Sequence, residues 1–167
     1  MANLLEIVTI GNPVLKNTSE EVVDFNSVKE LCEDMIESLP SNGVGLAAPQ
    51  VGQNLKIFVA KLNDVKRVFI NPKILEKSDE FIDGYEGCLS IPGYLGKVKR
   101  HNWVKLGYYT LEKEYKEEVF ENFQARIMQH EYDHLDGIVY LEKVSPINSL
   151  STEESFVKYI KKSQPKT

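Results

Sequence analysis

The chain has 167 residues, a net charge of −5, and 42% apolar and 27% charged content, which is the composition of one globular domain around a single core. The negative balance argues against nonspecific nucleic-acid binding, which needs clustered positive charge, and no apolar run approaches the ~20 residues of a membrane-spanning helix. Met1-Ala2-Asn3-Leu4-Leu5-Glu6 has neither the basic nor the apolar region of a signal peptide, so the expected location is the cytoplasm, or an organelle interior after removal of a transit peptide.

In chain order, Val28, Leu31, Cys32, Met35, Ile36 and Leu39 recur at helical spacing and predict a first helix over residues 27–39. Ser27 with Glu30 reads as its capping box, and Cys32 on the apolar stripe reads as core packing. Residues 55–62 and 67–70 read as strands joined through Asn63-Asp64, the second broken by Asn71-Pro72. Cys88 stands beside Gly87 and before Leu89-Ser90-Ile91-Pro92-Gly93, a tight, irregular stretch. A reduced cysteine there is a candidate ligand or nucleophile, although the residues alone lean toward structural packing. His101 follows the basic run Lys97-Val98-Lys99-Arg100 and is expected to be exposed. Residues 104–111 and 115–123 contain two more extended segments around a charged turn near Lys113. A second helix is predicted over residues 124–136, stopped by Gly137 as a C′ residue. Ser151-Thr152-Glu153-Glu154 reads as the capping box of a short third helix within a C-terminal extension, 146–167. No repeat or Gly/Ser/Pro linker divides the chain. The segregation of strands from helices points to a single α+β domain, with mainly antiparallel sheets packed around the helix that carries the next motif.

That motif is His130-Glu131-Tyr132-Asp133-His134, an H-E-x-x-H pattern. Residues at i and i+4 share a helix face, so both imidazoles can reach one ion while Glu131 moves protons for a bound water. At ~100° per residue, Phe123, Ile127, His130, Glu131, His134 and Leu135 fall on an inward side, and Gln129, Tyr132, Asp133 and Asp136 largely on the other. Two histidines and a carboxylate in apolar surroundings are costly to bury without a cation. The sequence offers three sources of a third ligand. The metzincin pattern needs a histidine where Tyr140 stands, so it fails. Glu153 or Glu154 would make a thermolysin-like peptidase, but each sits in the first turn of a capped helix, where acidic residues are expected anyway. Cys88 would give Cys-His-His with one open position. A noncatalytic, metal-stabilised binding module would need a fourth ligand, and none is obvious.

Three segments together resemble peptide deformylase: Gly43-Val44-Gly45-Leu46-Ala47-Ala48-Pro49-Gln50, Glu86-Gly87-Cys88-Leu89-Ser90, and Gln129-His130-Glu131-Tyr132-Asp133-His134-Leu135-Asp136-Gly137. Gly11-Asn12-Pro13-Val14-Leu15 and Val98-Lys99-Arg100 extend the resemblance over about residues 7–141. It implies a hydrolase that removes the formyl group from the N-terminal formylmethionine of nascent polypeptides and releases formate. It also implies that Cys88, His130 and His134 hold one divalent metal, Fe²⁺ natively, with Zn²⁺, Ni²⁺ or Co²⁺ able to substitute, and with water at the fourth position. By the same resemblance Glu131 relays the proton, and Gln50 with the backbone N–H of Leu89 forms the oxyanion hole. Gly43 and Gly45 allow an extended peptide to pair with the backbone. Val44, Gly45, Glu86, Gly87, Phe123, Arg126 and Ile127 are the expected substrate-side residues, the aliphatic part of Arg126 lining a methionine pocket. Glu86 is expected to orient a ligand or to pair with Arg100. Arg126, where many bacterial members carry an apolar residue, looks more like the organellar and cyanobacterial branch, and the segment after the ligand helix is short. The implied partners are N-formylmethionyl nascent peptides, met by a monomer near the ribosomal exit tunnel, with no direct nucleic-acid or membrane binding.

Overall fold

Strands with two kinds of burial build two antiparallel sheets in the computed structural model, which describes residues 2–161. The larger sheet places β1 (Gly45–Ala47), β2 (Ile57–Leu62), β3 (Val65–Lys77), β6 (Trp103–Tyr109) and β7 (Tyr115–Glu121) side by side in that order. The smaller contains β4 (Phe81–Cys88), β5 (Ile91–His101) and the short β8 (Ser151–Thr152). Helix α1 (Lys29–Ser38) packs on β2 and β3, and α2 (Asn122–Leu135) on β1, β2, β5, β6 and β7.

The run through β2 is apolar almost throughout because both faces of the strand are buried. Phe58 and Ala60 join Phe69, Tyr108, Phe120, Ala125 and Met128 in a core against α2. Ile57 and Val59 point the other way and join Cys32, Met35, Leu39 and Leu46 in a core beneath α1. Cys32 is fully buried, as its place on the apolar stripe predicted.

The turn at Asn63-Asp64 closes the β2–β3 hairpin with both residues left-handed, at φ 50° and 63°, as a two-residue hairpin requires. Asn71-Pro72 does not end β3. The register shifts between Ile70 and Lys73, and the resulting bulge absorbs a proline that could not donate to a regular ladder. Asn71 is left-handed there, at φ 49°. Its side chain accepts from Val22 N–H at 2.8 Å and donates to Val22 C=O at 2.9 Å.

Other boundaries move for local reasons. The Ser27–Glu30 capping box does not form: the Ser27 hydroxyl donates back to Asp24 C=O at 2.7 Å, and a 3₁₀ turn, Asn26–Val28, precedes α1. β7 ends at Glu121 and α2 starts with Asn122, earlier than expected. Gly137 stops α2 as predicted, left-handed at φ 74°, and a Cβ there would lie 2.5 Å from the carbonyl oxygen of Lys16. In the C-terminal extension the cap is Thr152, whose hydroxyl accepts from Ser155 N–H, while Ser151 pairs in β8. A helical turn and a wider turn follow over residues 153–160. The remainder of the predicted extension, residues 162–167, lies outside the described residues.

Candidate active site

One turn of α2 separates His130 from His134, which brings their ring centroids to 5.1 Å. Cys88 arrives from the end of β4, where the β4–β5 ladder loses register after Glu86. Its Sγ lies 3.4 Å from His134 Nε2. The ligand atoms of Cys88, His130 and His134 all fall within 4.8 Å of one another, and they form the only such donor cluster among the described residues. Glu153 and Glu154 are not part of it, so the geometry removes the carboxylate alternative for the third ligand.

A buried ionic network holds this cluster in place. Glu86 accepts two hydrogen bonds from Arg100, both at 2.8 Å, one from Arg126 at 2.7 Å, and one from His130 Nδ1 at 2.8 Å. It therefore orients a candidate ligand and pairs with Arg100 at once. Burial alone would raise the Glu86 carboxyl; the hydrogen bonds from Arg100 and His130 outweigh it and hold the group far below the usual carboxylate range. Arg100 also reaches Asp133 at 2.6 Å, and Lys143 closes on Asp133 at 2.9 Å. With its Nδ1 committed to Glu86, His130 keeps Nε2 for the cluster, 3.8 Å from Glu131 Oε1.

This network corrects the predicted faces of α2. Asp133 and Gln129, expected on the outward side, are buried. Gln129 accepts from His101 N–H and donates to His101 C=O, both at 2.9 Å, and so docks α2 on β5. His101, expected to be exposed, is half-buried with Nδ1 2.7 Å from Ser78 C=O. Arg126 turns its guanidinium inward to Glu86, Val98 C=O and Ile82 C=O. Phe123, predicted inward, is 59% exposed at the rim.

Above the cluster opens a cavity of about 450 Å³. Every substrate-side residue predicted from the sequence borders it: Val44, Gly45, Glu86, Gly87, Phe123, Arg126 and Ile127. So do Gln50, Cys88, Leu89, His130 and Glu131, while His134 lies beneath them, 1% exposed. The Gln50 amide has one possible orientation, because its oxygen accepts from Ala47 N–H at 2.8 Å. Its NH₂ group is left to face Ser90 Oγ at 3.2 Å and Cys88 Sγ at 3.4 Å. Ser90, fully buried, is a support that sequence reasoning missed, as were Asp133, Tyr85 and Tyr140. Asp133 had a readable signal, since it lies on the motif itself.

Glu131 is 3% exposed, and burial pushes its carboxyl up to about 7. Its Oε2, like His134 Nδ1, is buried without a hydrogen-bond partner among the described residues. His134 sits in surroundings that disfavour its charged form, chiefly by burial and then by the neighbouring His130, which keeps its imidazole neutral as ligation requires. Burial opposes charge on His130 too, yet hydrogen bonds to Cys88 and Glu86 and the nearby Glu131 win and draw positive charge to it. A thiol and two imidazoles converging where negative groups favour a cation match the donor set of a tetrahedral divalent-metal site with one position left open.

A sequence model described as polypeptide deformylase matches residues 4–149. The chain is 44% identical over 151 residues to a peptide deformylase of Dictyoglomus thermophilum, covering 89% of this chain and 97% of that one. It is 36% identical over 165 residues to peptide deformylase 2 of Nostoc sp., covering 90% and 92%. The crystal structure of peptide deformylase from Thermotoga maritima superposes with a TM-score of 0.84 at 38% identity, over 86% of this chain and 99% of that one. A class I type b peptide deformylase from Acinetobacter baumannii with Met-Ala-Ser bound gives 0.81 at 37% identity, over 86% and 100%.

Proposed function

The chain belongs to the polypeptide deformylase family, and we propose that the cleft over Cys88, His130 and His134 is where it works. It is a metal-dependent hydrolase that removes the formyl group from nascent peptides. The observation that carries the assignment is the convergence of three donors within 4.8 Å on a cavity floor shared with Glu131 and the Gln50 amide. In this reading α2 is the central helix of the fold, supplying two of the three ligands and the proton carrier.

Cys88, His130 and His134 hold the ion, Fe²⁺ natively, and the borderline-soft thiolate–imidazole set supports that ion as well as Zn²⁺, Ni²⁺ or Co²⁺. Once bound, a divalent ion supplies Lewis-acid polarisation and lowers the pKa of an attacking water. Glu131 takes the proton that the water gives up and delivers it to the amine that leaves. The Gln50 NH₂, fixed through Ala47, and the backbone N–H of Leu89 stabilise the oxyanion. Each such donor is worth roughly 2.7–4 kcal/mol in acyl-transfer enzymes. Among the described residues β1 pairs only with β2, so Gly45, with Val44 beside it, offers an open edge to an extended peptide. Ile127, Phe123 and the stem of Arg126 border the space for the methionine side chain, and Gly87 lies beside it.

No helix among the described residues is long and apolar enough to cross a membrane. We place the protein as a monomer in the cytoplasm or an organelle interior, meeting chains near the ribosomal exit tunnel. The substrate supports that placement, since a formylated methionine exists only at the start of a translated chain. Formate release from formyl-Met-Ala-Ser by the metal-loaded protein tests the proposal. Release from the formyl peptide with little action on its acetyl counterpart is expected, because the extra methyl must fit beside the reacting carbon. Cleavage of internal peptide bonds, or binding without turnover, would overturn it.

A further inference from the structure

The family match ends at residue 149, yet the chain continues along the mouth of the cleft. Leu95 and Tyr94 of β5 pair with Ser151 and Thr152. Thr152 caps the turn that follows, and Phe156 packs its ring 5.0 Å from that of Tyr85. Tyr85 and Glu153 both line the cavity. A segment outside the matched region therefore builds part of the wall of the active cleft.

Glu153 differs from the other charged groups there. Glu86 and Arg126 neutralise each other at 2.7 Å, and His130 and Glu131 belong to the reacting centre. Glu153 is exposed; its backbone carbonyl accepts from Phe156 N–H, while its carboxylate has no hydrogen bond or ion pair among the described residues. The nearby Lys97 ammonium lies 5.7 Å over the Tyr85 ring, and Lys97 does not line the cavity. Among the described residues, the cleft thus presents the Glu153 carboxylate uncompensated to whatever part of the peptide leaves it.

We infer that Glu153 is a specificity-determining residue, which favours formylated peptides carrying a lysine or arginine soon after the methionine and disfavours acidic ones. The inference rests on the deformylase reading of the cleft. Two unit charges about 7 Å apart at a partly solvated rim give a preference of about three- to tenfold, reduced by salt. The interaction is remote from the reacting carbon and is the same before and during the reaction. It therefore appears in KM and leaves kcat alone.

The test measures kcat and KM by formate release, using formyl-Met-Ala-Ser with Lys, Ala or Glu placed in turn at the second and third positions. Wild type, Glu153→Gln, Glu153→Lys and Glu154→Gln are compared; Glu154 is exposed and does not line the cavity. Wild type and Glu154→Gln should prefer the Lys peptide over the Glu peptide by about three- to tenfold in KM at ~20 mM salt, and by less at ~0.5 M. Glu153→Gln should bring the ratio close to one, and Glu153→Lys should invert it. An unchanged ratio in Glu153→Gln, or an equal loss in Glu154→Gln, overturns the assignment to Glu153. Absence of formate release from every peptide by metal-loaded wild type would instead sink the deformylase reading and the inference with it.

Discussion

A methyl group added at Gly45 should displace Glu131, the proposed proton carrier, without substituting it. A Cβ at this position would lie 2.7 Å from Glu131 Cδ and 2.8 Å from its Cγ and Oε1, where ordinary contact begins at 3.4 Å. Something must retreat by about 0.7 Å, and the backbone is poorly placed to do so. β1 is held to β2 by the pairs Gly45↔Ala60 and Leu46↔Val59, and α2 packs on both strands. The Glu131 carboxyl is left to move. Misplacing a catalytic group by about 1 Å can cost about 10²-fold, and the whole contribution of general acid–base catalysis is about 10²–10⁴-fold. Gly45→Ala should therefore lower kcat by roughly 10- to 100-fold, with metal content unchanged and an overpacking cost of about 1–3 kcal/mol in stability. Formate release, elemental analysis and urea unfolding read the three quantities. The sharper check is a double-mutant cycle: if the methyl acts through Glu131, Gly45→Ala should cost almost nothing further in a Glu131→Gln background. Additive losses, or near-normal kcat in metal-replete Gly45→Ala, would refute the reasoning.

Glu131→Gln alone should keep the metal and lose at least ~100-fold in kcat; normal turnover would remove Glu131 as the proton carrier. Gln50→Ala should spare metal content and slow turnover by about 10²–10³-fold, and a change confined to KM would argue against the oxyanion role. Cys88→Ser should strip the metal on dialysis, whereas Cys32→Ser should leave metal and rate in place. Burial pushes the Cys32 thiol up to about 12, so a thiol reagent should label it only after unfolding; equal metal in wild type and Cys88→Ser would show the ligand to be misassigned. Away from the site, the Arg67 hydrogen bond holds the Glu118 carboxyl below its ordinary value of 4.5. A lowered folded pKa gives stability that is present above the unfolded value and lost as pH falls through the folded one. Both side chains are about one-third exposed, 33% and 38%. Glu118→Gln should thus cost less than about 1 kcal/mol at neutral pH. The gap should close in acid, and one that persists there in urea titrations would refute the electrostatic account.

The helix with the motif was legible because a 3.6-residue period and an i, i+4 pair are local properties, and Gly137 marks its end chemically. The β2–β3 hairpin was legible for the same reason, through Asn63-Asp64. β4 and β5 were not read as strands at all. Phe81-Ile82-Asp83-Gly84-Tyr85-Glu86-Gly87 mixes charges and glycines, and its buried member is the carboxylate of Glu86. A strand whose inner face carries an ionic network does not alternate apolar with polar, so period-two reasoning has nothing to detect.

The same blindness misplaced Gln129 and Asp133. Hydrophobic periodicity assigns a polar side chain to solvent, but a polar group can be buried when its partners are supplied from elsewhere in the fold. Those partners are distant in sequence: Asp133 meets an arginine 33 residues away, and Gln129 meets a backbone 28 residues away. Cys88 shows the limit most plainly. It stands 46 residues from His134, and the chemistry of the intervening residues left its third-ligand role open. What a single sequence can report here is the demand for a partner, made by two inward histidines and a carboxylate. Which side chain meets that demand depends on how β4 is tethered to α2, and the tether is Arg126 and Arg100 closing on Glu86. The sequence offers Arg100 as a partner for Glu86 and Arg126 as a pocket residue, but only the fold brings one carboxylate between both guanidinium groups.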